Sequence, residues 1–536
     1  MNSSTEKISF YHNKKCFYTA FIAINLLLSC YYLDVWITPN AESRAIPVLT
    51  LYENKTLIID KYKDYAGDVS VIDSHYYSNK APLSSFIVYP FYSLYKSIGL
   101  PELKDTTLKK YPIYCWSYKA PDGVDHTPDG RVFLLPKSST VLILGDILCG
   151  AIPFVITLLL SLFAMKRAAV KLSPVVVVMM SFYASFLFAY VGTYTGHILS
   201  GVFALTGYIF LKQKKYIFSG IMVGIAMATE FPVGILVPVW ALLIYLNEKK
   251  ISKPLLFALG LIPGFIIVLW YNYHLTGSIT KTPYNYEIHQ QKENTQDIGF
   301  NFPTFSAFWG LVFSTYRGVL YYTPILILML WYAIKFGYQN SLKNVRDKMA
   351  LFNDGIKNYL LVTVIAYLIL YSAYYQWPGG WAFGPRYLIP MVMIVLYEGV
   401  IFLSKKNISP YFFYIITGLG VLFVWMDKST KIYMLPDFPQ DYEKMNLTPS
   451  QLQELSNYHN PLFSIVIPDF MQHKFNTNML PVFWFDSSPS LAIHIWPILF
   501  IAGVVFLTRW YSKLYPAPIE IPVDIQKKAP KKIKKK

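Results

Sequence analysis

Acidic side chains and cysteines are the scarce residues of this 536-residue sequence. Asp and Glu number 31 against 48 Lys and Arg, and charged residues make up only 15% of the chain. So little charge leaves no soluble, basic, aromatic-interleaved domain of the kind that grips nucleic acid, and no nucleic-acid partner is expected. Cysteine occurs four times. Cys16, Cys30 and Cys149 lie in or beside apolar runs and only Cys115 lies clearly outside them, which excludes a disulfide framework or a cysteine zinc site. Internal repeats, coiled-coil heptads and low-complexity tracts are missing too, apart from a lysine tail. Charge deep inside the apolar runs is sparse, with Glu398 and Asp146 the clearest cases, and that thinness counts against an ion-coupled transporter.

Apolar residues are abundant instead: 54% hydrophobic and 17% aromatic, with mean hydropathy +0.36. One soluble core does not need that much apolar surface, so the composition predicts a polytopic integral membrane protein. The formal charge is +17, but seven of those charges are lysines in the closing "KKAPKKIKKK", leaving +10 spread mostly over short loops. The tail reads as solvated, lipid-facing charge.

Runs of spanning length fall at about 16–35, 139–165, 172–192, 196–211, 215–229, 232–247, 254–273, 320–336, 358–375, 388–404, 409–426 and 491–511, predicting an all-α bundle of about 12 transmembrane helices. "LLLSC" at 26–30 is faintly like a lipoprotein cleavage box, but the run continues through "YYLDVW", so an uncleaved signal anchor is expected. With a cytoplasmic N-terminus, the even-numbered connections "KRAAVK", "KQKK", "NEKKISK", "KFGYQNSLKNVRDK", "SKKN" and the tail are all basic, satisfying the positive-inside rule at each turn. Both termini are then cytoplasmic. The polar, Gly/Pro-punctuated stretches all face the other side: 36–138, "GTYTG", "TEFP", 274–319, "QWPGGWAFGPRY" and 427–490. Segment 81–98, with Pro90 and scattered tyrosines, reads as an interfacial helix within the large first outer loop, since counting it as a span would invert every later loop.

On that outer face the candidate residues collect. Glu42 and Arg44 open a helical pattern just past the first run; Glu42 could be a general base or only an acid favoured by a helix N-terminus. Asp68, Asp73, His75 and Lys80 follow. Lys80, in "SHYYSNKAP", stands where the chain re-enters the interface and could hold a phosphate or simply snorkel. Asp73 and His75 could contribute to a divalent-metal site or an ordinary polar loop. His197, Glu230, Arg317 and Arg386 end or begin later helices, and the two arginines call for a phosphate or a carboxylate such as Glu230.

These strings together resemble the GT-C fold glycosyltransferases of the family 39 type, which include protein O-mannosyltransferases and the bacterial lipid A aminoarabinose transferase. "AESRA" is similar to the acidic motif after the first helix, keeping Glu42 and Arg44 with Ala41 where a first acid would stand. "KAP" at Lys80 to Pro82 is similar to the motif whose lysine engages a lipid phosphate, and "TEFP", "YRGVLYYTP" and "GGWAFGPRYL" follow in order. The resemblance runs from the first helix to about residue 388; 427–490 and the tail match nothing.

What the resemblance implies is a bacterial inner-membrane enzyme with its active site on the extracytoplasmic face. It would move a sugar from a polyprenyl-phosphate donor to a glycan, lipid or protein acceptor. Residues 1–426 would form the catalytic module, 427–490 an outer loop, 491–511 the last helix and 512–536 the basic tail. Lys80, Arg317 and Arg386 would bind the donor phosphate, and Glu42 would be the base, with Asp68 or Asp73 as substitutes. Arg44, His75, Tyr76, Tyr77, His197, Glu230 and Tyr387 would line the substrate. A flippase or transporter of lipid-linked sugars, or an envelope scaffold, is the competing reading.

Overall fold

In a computed structural model the described residues are 13–34, 38–102, 136–165, 172–287, 299–341, 357–405, 408–430, 459–485 and 487–516. Cys115, the connections 166–171 and 342–356, most of 427–458 and the lysine tail lie outside them. Sixteen helices of eight or more residues can be numbered among the described residues. They are α1 Lys14–Ser29, α2 Pro39–Asn54, α3 Leu83–Ser97, α4 Lys137–Ala164, α5 Pro174–Tyr183, α6 Gly196–Lys212, α7 Tyr216–Thr229 and α8 Leu236–Glu248, followed by α9 Ser252–Thr276, α10 Phe305–Val312, α11 Ile325–Ser341, α12 Tyr359–Ser372, α13 Ile389–Ser404, α14 Pro410–Thr430, α15 Leu462–Met471 and α16 Pro489–Leu514.

Among the described residues six stretches are long and apolar enough to cross a membrane: α4, α8 with its lead-in from Phe231, α9, α13 with its lead-in from Arg386, α14 and α16. Five more apolar helices, α5, α6, α7, α12 and α15, are shorter. Among the described residues that measure gives fewer than the twelve spans expected, because some runs form helices too short for it, such as α6 and α7, and others are broken within their length. The run 172–192, for example, divides at Ala184–Ser185 into α5 and a 3-10 turn, Phe186–Tyr190. Segment 81–98 forms α3, only 15 residues long, which leaves Phe91, Leu94 and Ile98 exposed along one edge.

The bundle holds together in two ways. Around α16, Trp496 stacks on Phe500 (5.2 Å, 6°) and on Phe188 (5.2 Å, 28°), and its indole N–H donates to the Leu28 carbonyl. Between α7 and α9 the closest approach is made by glycines. Gly220 and Gly224 face Gly260 and Gly264 so closely that a Cβ on Gly260 would strike the Ile217 carbonyl and one on Gly264 the Gly224 backbone. This is small-xxx-small packing, in which backbone contact replaces side-chain interdigitation.

The all-α expectation needs one correction. Val69–Ile72 and His75–Ser78 form an antiparallel hairpin, paired Val69 to Ser78 through Ile72 to His75. The two loop residues, Asp73 and Ser74, have φ of 49° and 66°, the positive values a two-residue type I′ turn demands of both its central residues.

Connectivity sorts the ends of the bundle. The basic turns Lys212–Lys215 and Lys249–Lys250 join α6 to α7 and α8 to α9 at one end. The hairpin, the starts of α6 and α13, the ends of α7, α9 and α12, and the start of α2 lie at the other.

Candidate active site

At that second end lies a polar cavity of about 320 Å³, lined by Asn40, Arg44, Asp68, Lys80, His197, Glu230, Tyr284, Glu287, Tyr374, Tyr375, Gln376, Arg386 and Tyr387.

Helix α2 contributes two of these. Thr38 caps it by accepting from the Ala41 N–H, and Pro39 opens its first turn. Asn40 and Arg44, four residues apart, share a face; Arg44 donates to the Asn40 carbonyl at 2.9 Å and also to its side-chain oxygen. The same geometry turns Glu42 away. Two residues from each, it projects about 200° around the helix, is 1% exposed, and accepts from Ser138 Oγ at 2.8 Å. The cavity therefore takes Arg44 from the "AESRA" string and not Glu42, the expected base. Burial, opposed by the Ser138 hydrogen bond and reinforced by Asp34, pushes the Glu42 carboxyl up to about 8.

The hairpin brings the next pair together at its open end. Because Val69 pairs with Ser78, the residues just outside that rung meet: the Asn79 N–H donates to the Asp68 carbonyl, and Lys80 Nζ sits 2.7 Å from Asp68 Oδ2. Burial alone would drive the Lys80 ammonium toward neutrality, but Asp68 outweighs it and its pKa lies above the ordinary lysine value. Burial likewise opposes ionisation of Asp68, and Lys80, then Arg386 and Arg44, hold it below the ordinary value. Both stay charged at neutral pH.

Asp73, at the exposed turn, and His75, whose Nδ1 is 2.7 Å from Asp60 Oδ2, are at the far end of the hairpin. Tyr76 and Tyr77 pack into separate apolar clusters beneath it. None of these four lines the cavity, because the two-residue turn points the first half of "SHYYSNKAP" away from its lysine. Among the described residues no group of three or more His, Cys, Asp or Glu is arranged to hold a metal ion.

Glu230 ends α7 and faces the first turn of α6. Arg44 donates to its Oε1 at 2.6 Å and His197 Nδ1 lies 3.7 Å from the same oxygen. A Cβ on Gly196 would strike that oxygen, so the glycine is what lets the carboxylate approach the helix start. Burial disfavours the Glu230 charge, but His197, Arg44, Lys80 and Arg386 together keep its pKa below the ordinary value.

Arg386 and Tyr387 lead into α13. Tyr387 stacks on Tyr371 (5.1 Å, 4°) and meets Tyr374 and His197 edge-on, giving the cavity an aromatic wall. Arg317 is elsewhere. Fully buried, it donates from Nε to the Pro378 carbonyl (3.1 Å) and from a terminal nitrogen to the Gly380 carbonyl (3.0 Å), so its expected place on a donor phosphate is taken by backbone.

Sequence reading missed Asn40, Tyr284, Glu287 and the Tyr374–Gln376 segment. Tyr284 lies under Lys80, whose Nζ is 5.4 Å from the ring centre and 3.4 Å from the hydroxyl. Its turn, Pro283–Tyr286, is docked by Ser70, which donates to the Pro283 carbonyl and bridges to Glu287. The string "TPYNYE" was the available signal, an aromatic and acidic cluster beside a proline in an outer connection.

Comparison with known proteins adds little identity. No family model matches the chain, and no curated protein does. Among solved structures, ArnT from Cupriavidus metallidurans in the apo state is similar at 11% identity with a TM-score of 0.42. The alignment covers 92% of this chain and 76% of that one.

Proposed function

We propose that the protein is an integral-membrane glycosyltransferase of the bacterial inner membrane. In this reading it transfers a sugar from a polyprenyl-phosphate donor to an acceptor on the extracytoplasmic side, with residues 1–426 as the catalytic module. The observation that carries the reading is the cavity itself. Arg44, Asp68, Lys80, Glu230 and Arg386 come from four remote segments and meet beside stacked tyrosines at the end of an apolar bundle. Converging cations suit a phosphate, an aromatic wall suits the apolar face of a sugar ring, and a carboxylate in the same space suits proton abstraction. An apolar groove of about 280 Å³ between α10 and α12 ends at Ser372, two residues before the cavity-lining Tyr374.

The chemistry follows from the pairing. A donor phosphate arriving at Lys80 competes with Asp68 for the ammonium, and the carboxylate it displaces regains basicity. Asp68, not Glu42, then takes the proton of an acceptor hydroxyl; the acceptor oxygen bonds to the anomeric carbon as the bond from that carbon to the phosphate oxygen breaks. The electron pair leaves with polyprenyl phosphate, whose charge Lys80 and Arg386 stabilise.

The test mixes detergent-solubilised protein with radiolabelled polyprenyl-phosphate sugars and membrane-derived acceptors. Label on an acceptor together with free polyprenyl phosphate is the expected result. Movement of intact donor across proteoliposomes, with no bond cleaved, would overturn it in favour of a flippase.

A further inference from the structure

Arg317 makes three side-chain hydrogen bonds to backbone carbonyls that the reaction above does not use. Its guanidinium grips the carbonyls of Pro378 and Gly380, one on each side of Gly379, and a third bond goes to the Tyr316 carbonyl at 3.1 Å. Arg317 Cζ lies over the Tyr316 ring, 4.1 Å from the ring centre, and that ring meets Trp377 edge-on. Trp377 in turn is packed against Gly310 of α10, where any Cβ would strike its ring. The turn so held has φ of 81° at Gly379 and 64° at Gly380, values that only glycine adopts without strain.

Both neighbours of this turn belong to the cavity. Gln376 opens it and lines the polar space. Gly379 lies against the Arg386 stem, 3.2 Å from its Cγ and 3.3 Å from its Nε measured from where a Cβ would be, and 3.4 Å from the Tyr387 ring. A mobile glycine pair at this point would let the Arg386 side chain swing. Two parallel bonds from a planar, fully buried guanidinium remove that freedom, and a lysine ammonium cannot reproduce the fork.

We infer that Arg317 is a positioning residue. By clamping the Gln376–Gly380 turn it fixes the Arg386 guanidinium and the Gln376 amide in the cavity, without touching substrate itself. The inference rests on the transferase reading for its activity readout, and on the clamp alone for its structural one.

A double-mutant cycle between Arg317→Lys and Arg386→Ala tests it, since residues that act through one another are non-additive. Arg317→Lys in an otherwise wild-type chain should lower kcat/KM about tenfold. In the Arg386→Ala background the same substitution should cost less than about twofold, because the group being positioned is gone. A full tenfold loss in both backgrounds would mean that Arg317 acts independently, and the inference would fall. Amide hydrogen exchange supplies the second readout on the full-length protein in detergent. In Arg317→Lys the amides of Gly379, Gly380 and Trp381 should exchange faster while those of α6 and α7 do not change. Unchanged exchange at the turn would overturn the clamp. Because exchange needs no transfer, a wild type inactive with every donor would sink the transferase reading and still leave this inference decided.

Discussion

Two charged clusters lie at the same end of the bundle and are built from the same residue types, yet they are opposite in kind. In the cavity, Lys80 and Arg44 are held by side-chain carboxylates, Asp68 at 2.7 Å and Glu230 at 2.6 Å, around an open volume. Behind it, Lys428 is fully buried with Asp34, Asp146 and Asp427 in electrostatic reach. Its ammonium donates to the backbone carbonyls of Ala189 and Val191 and lies over the rings of Phe188 and Tyr32. A side-chain carboxylate can rotate away when a ligand anion arrives; a backbone carbonyl cannot. The first arrangement is exchangeable and suits binding, whereas the second is fixed. It ties the 186–196 stretch, also gripped by Asp34 N–H to the Gly192 carbonyl, into the position that delivers His197 to the cavity.

That contrast is broken most directly by exchanging what each cluster loses. Asp68→Asn should lower transfer by about 10²–10⁴-fold, the range for removing a general base, with a smaller fall in the thermal midpoint of the detergent-solubilised protein than Lys428→Met produces, because Lys80 lines an open cavity. Normal turnover in this variant would move the base to another cavity carboxylate. Lys428→Met should do the reverse. Stranding buried carboxylates and two carbonyls costs about 3–5 kcal/mol, so the protein should melt much earlier or fail to accumulate, and a variant with a wild-type midpoint would dissolve the distinction between the clusters. Next in size, Arg386→Ala should cut transfer by about 10²–10³-fold through lost stabilisation of the leaving phosphate, at an unchanged midpoint. A midpoint that dropped in step with activity would class Arg386 with Lys428.

The sequence made the cavity cluster legible and, of the buried one, showed only Asp146, for identifiable reasons. Arg44, Lys80, His197, Glu230, Arg386 and Tyr387 stood out because each is polar or aromatic at the border of an apolar run, where a charge needs a reason. The structure brings those six to one cavity. Glu42 and Asp73 drew notice on the same grounds, but local geometry decides their direction: a helix turns residue 42 away from residues 40 and 44, and a type I′ turn takes Asp73 to the hairpin tip. Tyr284 and Glu287 carried only the weak signal of "TPYNYE", because their place depends on Ser70, more than 200 residues earlier, docking their turn. Lys428 lies just past the apolar run 409–426, and nothing local marks it, because its partners come from three other segments. Helix number suffered similarly. Hydropathy sees a run such as 172–192 as continuous, while the backbone breaks it where Phe186 N–H donates to Thr323 Oγ1 instead of to its own helix.

The smallest expected effect sharpens the comparison, since Glu42 stands between the clusters, on the cavity helix but turned toward Ser138 and Asp34. Burial raises its carboxyl to about 8 in the folded protein, against about 4.3 in an unfolded chain. Between those values the unfolded state has already lost the proton that the folded state keeps. Its stabilising contribution is therefore complete below about pH 4 and is lost as pH rises toward 8, with no further change above. Glu42→Gln removes the titration while keeping shape and the Ser138 contact. The thermal midpoint of wild type relative to Glu42→Gln should thus fall by about a few degrees from pH 5 to pH 8 and then level off, while transfer by the variant at pH 7 stays within about threefold of wild type, because the group does not reach the cavity. A parallel pair of midpoint curves would place Glu42 in contact with solvent and cavity. Loss of turnover in Glu42→Gln at an unchanged midpoint would restore it as the base and make the helix face, not the pairing of Lys80 with Asp68, the feature that governs the site.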